Sequence, residues 1–113
     1  MSETVYRVQD IEGRGPYRPG FSHKWSDGFE KPPAFYEEFG WDILKAAKKG
    51  EAMGCGFRTR DQAHQWFSRE EMDRLRVLGY HLVRIEVDRI LAESKHQLVF
   101  ARSKPLALDV VSV

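Results

Sequence analysis

Cysteine is almost missing from this chain. Cys55 stands alone among 113 residues, so no intramolecular disulfide can form and no cysteine-based zinc knuckle can be built with the histidines. That scarcity predicts a reducing, cytoplasmic setting. Charge excess is missing too: 18 Lys and Arg face 17 Asp and Glu, a formal +1, which removes any global pull toward nucleic acid or acidic membranes and leaves only local patches. No apolar run approaches the ~20 residues that cross a bilayer. Nor does a basic n-region with an apolar h-region open the chain. The expectation is a protein neither exported by a signal peptide nor embedded in a membrane. The patterns GxxxxGK[ST], GxSxG and HExxH do not occur, so a P-loop, a nucleophile elbow and a zinc-protease helix are not indicated. His23, His64, His81 and His96 form no i, i+4 pair, and no metal site is predicted from them.

What is present describes a folded chain. Hydrophobic residues make up 42% and aromatic residues 12%, with Trp25, Trp41 and Trp66 among them, enough for a core in one domain spanning residues 1–113. The clearest local signals lie at residues 56–80. Asp61 is placed to N-cap a short helix carrying Ala63, Trp66 and Phe67. Ser68 and Glu71 have capping-box spacing, and Phe67 and Met72 occupy the staple positions that set the angle between this helix and the next. Met72, Leu75 and Leu78 recur at helical spacing, Gly79 supplies the left-handed C′ residue, and residues 80–87 alternate as a strand.

The flanking segments are read in the same way. Residues 4–8 form a first strand. Residues 9–33 lose all periodicity between Gly13, Gly15, Pro16, Pro19, Gly20, Gly28, Pro32 and Pro33, which predicts a long loop suited to a ligand or partner. Its aromatics Tyr17, Phe21, Trp25 and Phe29 predict that it packs down on the body. Residues 33–39 offer a helical turn broken near Gly40, residues 43–49 a short helix ended by Gly50, and residues 88–93 one helical turn capped by Asp88. Strands at about 97–101 and 107–113 close the chain, and their short connection favours antiparallel pairing. The fold class expected is α+β: a small, mostly antiparallel sheet with strands at both chain ends and short helices in the middle.

Few residues invite chemistry. Cys55 between two glycines is either a small buried side chain or a place where backbone approaches a ligand. Arg14, Tyr17 and Arg18 sit in a glycine- and proline-rich loop whose residue types suit a phosphate and a stacking base, or a solvated turn. Arg7 either lies exposed on the first strand or points into a cleft.

Three stretches resemble the ADP-ribosyltransferase superfamily in its small bacterial and phage versions. Tyr6-Arg7 on the first strand is similar to the aromatic-plus-Arg/His pair that holds the dinucleotide. Phe57-Arg58-Thr59, leading into Ala63 and Trp66, is similar to the aromatic-Ser/Thr motif at a strand end. The strand from Gln97, followed by a last strand at 108–113, is similar to the element that opens with the catalytic glutamate and pairs with the final strand. The resemblance implies an ADP-ribosyltransferase-like fold and NAD as cofactor. It implies that Arg7 binds phosphate, beside the Arg14 and Arg18 that the loop chemistry offers for the same cofactor, that Tyr6 and Tyr17 line the nicotinamide pocket, that Thr59 orients the ribose, and that Gln97 or Glu93 stands near the reacting carbon. The chain departs from the pattern where it matters most, because Gln97 replaces the glutamate and an amide cannot stabilise an oxocarbenium-like charge as a carboxylate does. Two readings follow: an NAD-using transferase that modifies a protein or nucleic acid, and a non-catalytic α+β binding module, of phage accessory type, that blocks such a partner.

Overall fold

Six strands, each paired antiparallel, account for most of the order in the computed structural model, which describes residues 2–17, 20–28 and 34–113. They are β1 (Glu3–Gln9), β2 (Ala52–Gly56), β3 (His81–Val87), β4 (Arg89–Glu93), β5 (Leu98–Arg102) and β6 (Val110–Ser112). One three-stranded sheet has the order β1-β3-β6 and the other β2-β5-β4. Among the described residues three helices accompany them, α1 (Phe35–Phe39), α2 (Arg60–Trp66) and α3 (Arg69–Val77), with 3-10 turns at Ser22–Lys24 and Trp41–Lys45. The class is α+β, but there are two small sheets rather than one, and β2 stands between the helices.

Burial explains the layering. Strand side chains alternate between faces, and both faces of β1 are covered. On one, Val5 joins Val83, Ile85 and Val87 of β3 against Leu98 and Phe100 of β5, a core between the two sheets. On the other, Val8 and Tyr6 meet Ala63, Trp66, Met72 and Leu75 of α2 and α3, together with Trp25 from the long loop. The loop therefore packs down around Trp25, which is fully buried and donates its indole N–H to the Pro16 carbonyl at 3.1 Å. Phe29 lies outside the described residues.

The helices begin where their side chains can satisfy free backbone donors. The box expected at Ser68 and Glu71 is formed, and Phe67 and Met72 are buried in one cluster. Gly79 has φ 90°, the left-handed value that ends α3 without a Cβ clash. The expected cap at Asp61 is corrected: Thr59 caps α2, its hydroxyl accepting from the Gln62 N–H while the Gln62 side chain accepts from the Thr59 N–H. Asp61 falls in the first turn, where a carboxylate favours the helix dipole.

Three further expectations are corrected by long-range pairing. Residues 88–93 are not a helical turn. The Asp88 N–H donates to the Ala101 carbonyl, and β4 pairs with β5 through a bulge between Ile90 and Ala92. The helix expected over 43–49 is a 3-10 turn at Trp41–Lys45 that buries no residue, so nothing supports another turn. The last two strands do not pair with each other. β5 lies between β2 and β4, whereas β6 pairs with β3. The buried Arg102 guanidinium lies at that crossing and donates to the carbonyls of Glu86, Pro105 and Leu108 at 2.7–2.9 Å.

The two sheets meet along one seam. Tyr6 and Phe57 exchange backbone hydrogen bonds of 2.8 and 2.7 Å, an isolated antiparallel bridge joining β1 to the end of β2. Gly56 permits it, because a Cβ there would lie 2.7 Å from the Tyr6 carbonyl oxygen. That neighbour is backbone and cannot step aside as a flexible side chain would. Gly56→Ala is therefore expected to lower unfolding free energy by about 1–3 kcal/mol in urea denaturation, with the slope unchanged. A neutral substitution would mean the seam is not tight.

Candidate active site

Beyond the Tyr6–Phe57 bridge the strands diverge, and the Arg7 side chain fills the gap. Its Nη1 donates to the Cys55 carbonyl at 2.7 Å, its Nη2 to the Gly13 carbonyl at 3.2 Å and its Nε to the Gln9 side-chain oxygen at 3.0 Å. The guanidinium thus takes the place of a strand partner for Cys55. Phe100 lies beneath it, with 5.9 Å from the guanidinium carbon to the ring centroid. Gly54 makes the space, since a Cβ there would sit 3.0 Å from Nη1 and 2.8 Å from the Phe100 ring. Arg7 is 9% exposed, and no carboxylate lies within ion-pair distance of it among the described residues. Burial lowers its pKa, against the opposing influence of Cys55 and Asp10. The same burial pushes the Cys55 thiol up, with Arg7 pulling the other way.

Arg7 faces a cleft of about 740 Å³. Phe57, Trp66 and Phe67 form one wall, Pro16 and Tyr17 of the long loop another, and α1 with Phe35 and Tyr36 roofs it, while Gln97 stands at its edge. The Tyr17 hydroxyl accepts from the Trp66 indole N–H at 2.6 Å. Half the residue faces solvent, yet burial of the hydroxyl end, partly offset by that bond, pushes its pKa up to about 12, so it is a neutral phenol at ordinary pH. The cleft combines a buried cation with several aromatic side chains, and Glu37 of α1 also lines it; the cation and rings suit a ligand bearing both an anionic group and a flat ring.

Sequence reasoning did not single out Glu38. It lies on α1 and accepts from the Gln97 side-chain amide at 2.8 Å, with the His96 Nδ1 3.7 Å from its other oxygen. Gln97 is 5% exposed. Because no residue of α1 is buried, this contact is a principal tether of the roof to the body.

The residues proposed from sequence fall into two groups. Arg7, Tyr17 and Gln97 line one cleft. Thr59 does not line it, because its hydroxyl caps α2. Glu93 is ion-paired with Arg58 at 2.6 Å, which holds its carboxyl below the usual range against a modest burial effect. Tyr6 turns its ring to the helix side of β1. Arg14 is exposed and pairs with Asp10 at 2.8 Å. Arg18 lies outside the described residues. Among the described residues no group of three His, Cys, Asp or Glu could hold a metal ion, and no helix is long and apolar enough to cross a membrane.

The Glu38 tether has a titration signature. Burial works to raise the Glu38 pKa, but hydrogen bonds from Gln97 and Ser94 and the charge of His96 outweigh it, so the net shift is downward. A depressed carboxylate contributes stability that is fully present above its unfolded pKa and is lost as pH falls through the folded one. Carboxyl-detected NMR is expected to place the Glu38 midpoint below that of an ordinary glutamate, and Gln97→Ala to move it upward. A midpoint at or above the ordinary value would contradict the tether.

Comparison with curated proteins and with solved structures finds no match. A family profile does match, that described as Bacteriophage T4 Y00F protein, and it covers residues 1–113. With its whole length matched, the chain belongs to the Bacteriophage T4 Y00F protein family.

Proposed function

We propose that the cleft binds NAD or a closely related nucleotide, as the resemblance to ADP-ribosyltransferases implies, in a phage protein that acts on a macromolecule of the infected cell. One observation carries this reading: Arg7 is a buried cation at the cleft with no carboxylate beside it among the described residues. A guanidinium has five N–H donors, and Arg7 uses three on neutral oxygens, which leaves two for a phosphate. Keeping a desolvated charge without a counter-ion is costly, and an anionic ligand would offset that cost. The aromatic walls supply stacking surface for a nicotinamide or adenine ring. Tyr17, as a neutral phenol, contributes an edge of that pocket, and Gln97, which the resemblance associates with the reacting carbon, lines the same cleft.

A second reading has its own support. Gln97 offers no negative charge, and the Glu38 carboxylate beside it is engaged by the Gln97 amide. A charge-stabilised transition state is therefore poorly served, which favours a module that binds the nucleotide, or a partner, without rapid transfer. Thr59 caps α2 and Glu93 pairs with Arg58, and neither reading draws on them.

Isothermal titration with NAD tests the binding. The wild type is expected to bind, Arg7→Lys to weaken affinity by about tenfold or more through loss of a bidentate charged contact, and Arg14→Ala to bind as the wild type does. No binding by the wild type, or undiminished binding by an Arg7→Lys variant that melts normally, would sink the proposal. Labelled NAD in a host lysate then separates the two readings. Transfer to a macromolecule that Gln97→Ala abolishes supports the transferase, and binding without transfer supports the inert module.

A further inference from the structure

A second depression, of about 220 Å³, lies where α2 and α3 meet the edge of the first sheet. Four basic side chains enter it from three elements: Arg60 and His64, one turn apart on α2, Arg76 on α3 and His81 at the start of β3. Buried Met72 and Leu82 form its base, and Ser112 and Val113 close it, the Val113 N–H donating to the Leu82 carbonyl at 3.1 Å. Among the described residues no acidic side chain lines it. Asp73 pairs with Arg76 at 2.7 Å from the exposed flank of α3. Arg60 has no carboxylate within ion-pair distance among the described residues.

We infer that this depression is a phosphate-binding site, separate from the cleft, for a phosphoryl group that is either free or part of a nucleic-acid backbone. Two guanidiniums meet in this shallow cavity, Arg76 paired with Asp73 and Arg60 without a carboxylate partner among the described residues, and their donors attract anions. In a chain whose formal charge is only +1, such a cluster is a local feature rather than a by-product of overall basicity. Arginine forks match phosphate oxygens two at a time, and the imidazoles of His64 and His81 add single N–H donors from the other sides. The apolar base suits the sugar edge to which a phosphate is attached.

Amide-shift NMR on the full chain tests the site with two probes, inorganic phosphate and a short single-stranded oligonucleotide. Saturable shifts centred on Arg60, His64, Arg76 and His81 are expected. The double variant Arg60→Gln/Arg76→Gln should weaken binding by about tenfold or more. For the oligonucleotide it should also make the slope of log K against log salt shallower by about 1.4, from two lost phosphate contacts. Shifts with both probes or with phosphate alone assign a general phosphate site, and shifts with the oligonucleotide alone assign the backbone as the source. Arg7→Lys should leave the shifts unchanged, which keeps this result independent of the cleft. His64→Asn provides a milder variant should the double one melt early, and it too should weaken binding. No saturable shift at these residues with either probe, or undiminished binding by folded variants, would overturn the assignment.

Discussion

Two backbone hydrogen bonds between Tyr6 and Phe57 tie β1 to the end of β2, and the shape of the cleft depends on them. They join the facing edges of the two sheets, and beyond them β1 and β2 diverge. Had β1 and β2 continued to pair, the Cys55 carbonyl would have met a backbone N–H. Because they separate, the carbonyl meets the Arg7 guanidinium instead. Gly56 allows the contact and Gly54 the separation with a cation inside it, so three consecutive residues, Gly54-Cys55-Gly56, set both.

The consequence is a charge in an unusual place. Arg7 is held by neutral oxygens over an aromatic ring, at the bottom of a cleft walled by aromatic side chains. An arginine whose role was only to join strands would be cheaper as a neutral residue, since buried ionic groups are often replaced by apolar ones without loss of stability. The roof is lightly held by comparison. α1 buries none of its residues, and Glu38 joins it to Gln97, with Ser94 and His96 also against the carboxylate.

Local chemistry was legible in the chain. The Ser68–Glu71 box, the Phe67–Met72 staple, Gly79 and the first strand rest on interactions within a few residues, and the structure has them where spacing indicated. Distant pairing was not legible. Residues 88–93 carry a plausible cap in Asp88, but β5 offers a ladder that outweighs it. The division into two sheets rests on strand pairings far apart in sequence, and Arg102 reaches three carbonyls near the crossing, which no periodicity announces. Thr59 shows the opposite hazard, because the family resemblance gave it a ligand role while its spacing to Gln62 already made it a cap. Arg7 and Tyr17 stood out by residue type and Gln97 through that resemblance, and all three line one cleft. Glu38 was missed, its partner lying 59 residues away, and the only local hint was an acidic residue on a short helix rich in aromatics.

The claim that matters most is that Arg7 holds an anion in the cleft, and a crystal structure of the protein grown with NAD tests it directly. The account predicts a phosphate oxygen within about 3 Å of Arg7 Nη1 or Nη2, with a ring of the ligand against Phe57, Trp66 or Tyr17. A cleft left empty at saturating NAD, or a nucleotide bound elsewhere while Arg7 keeps only its carbonyl and amide partners, would contradict it.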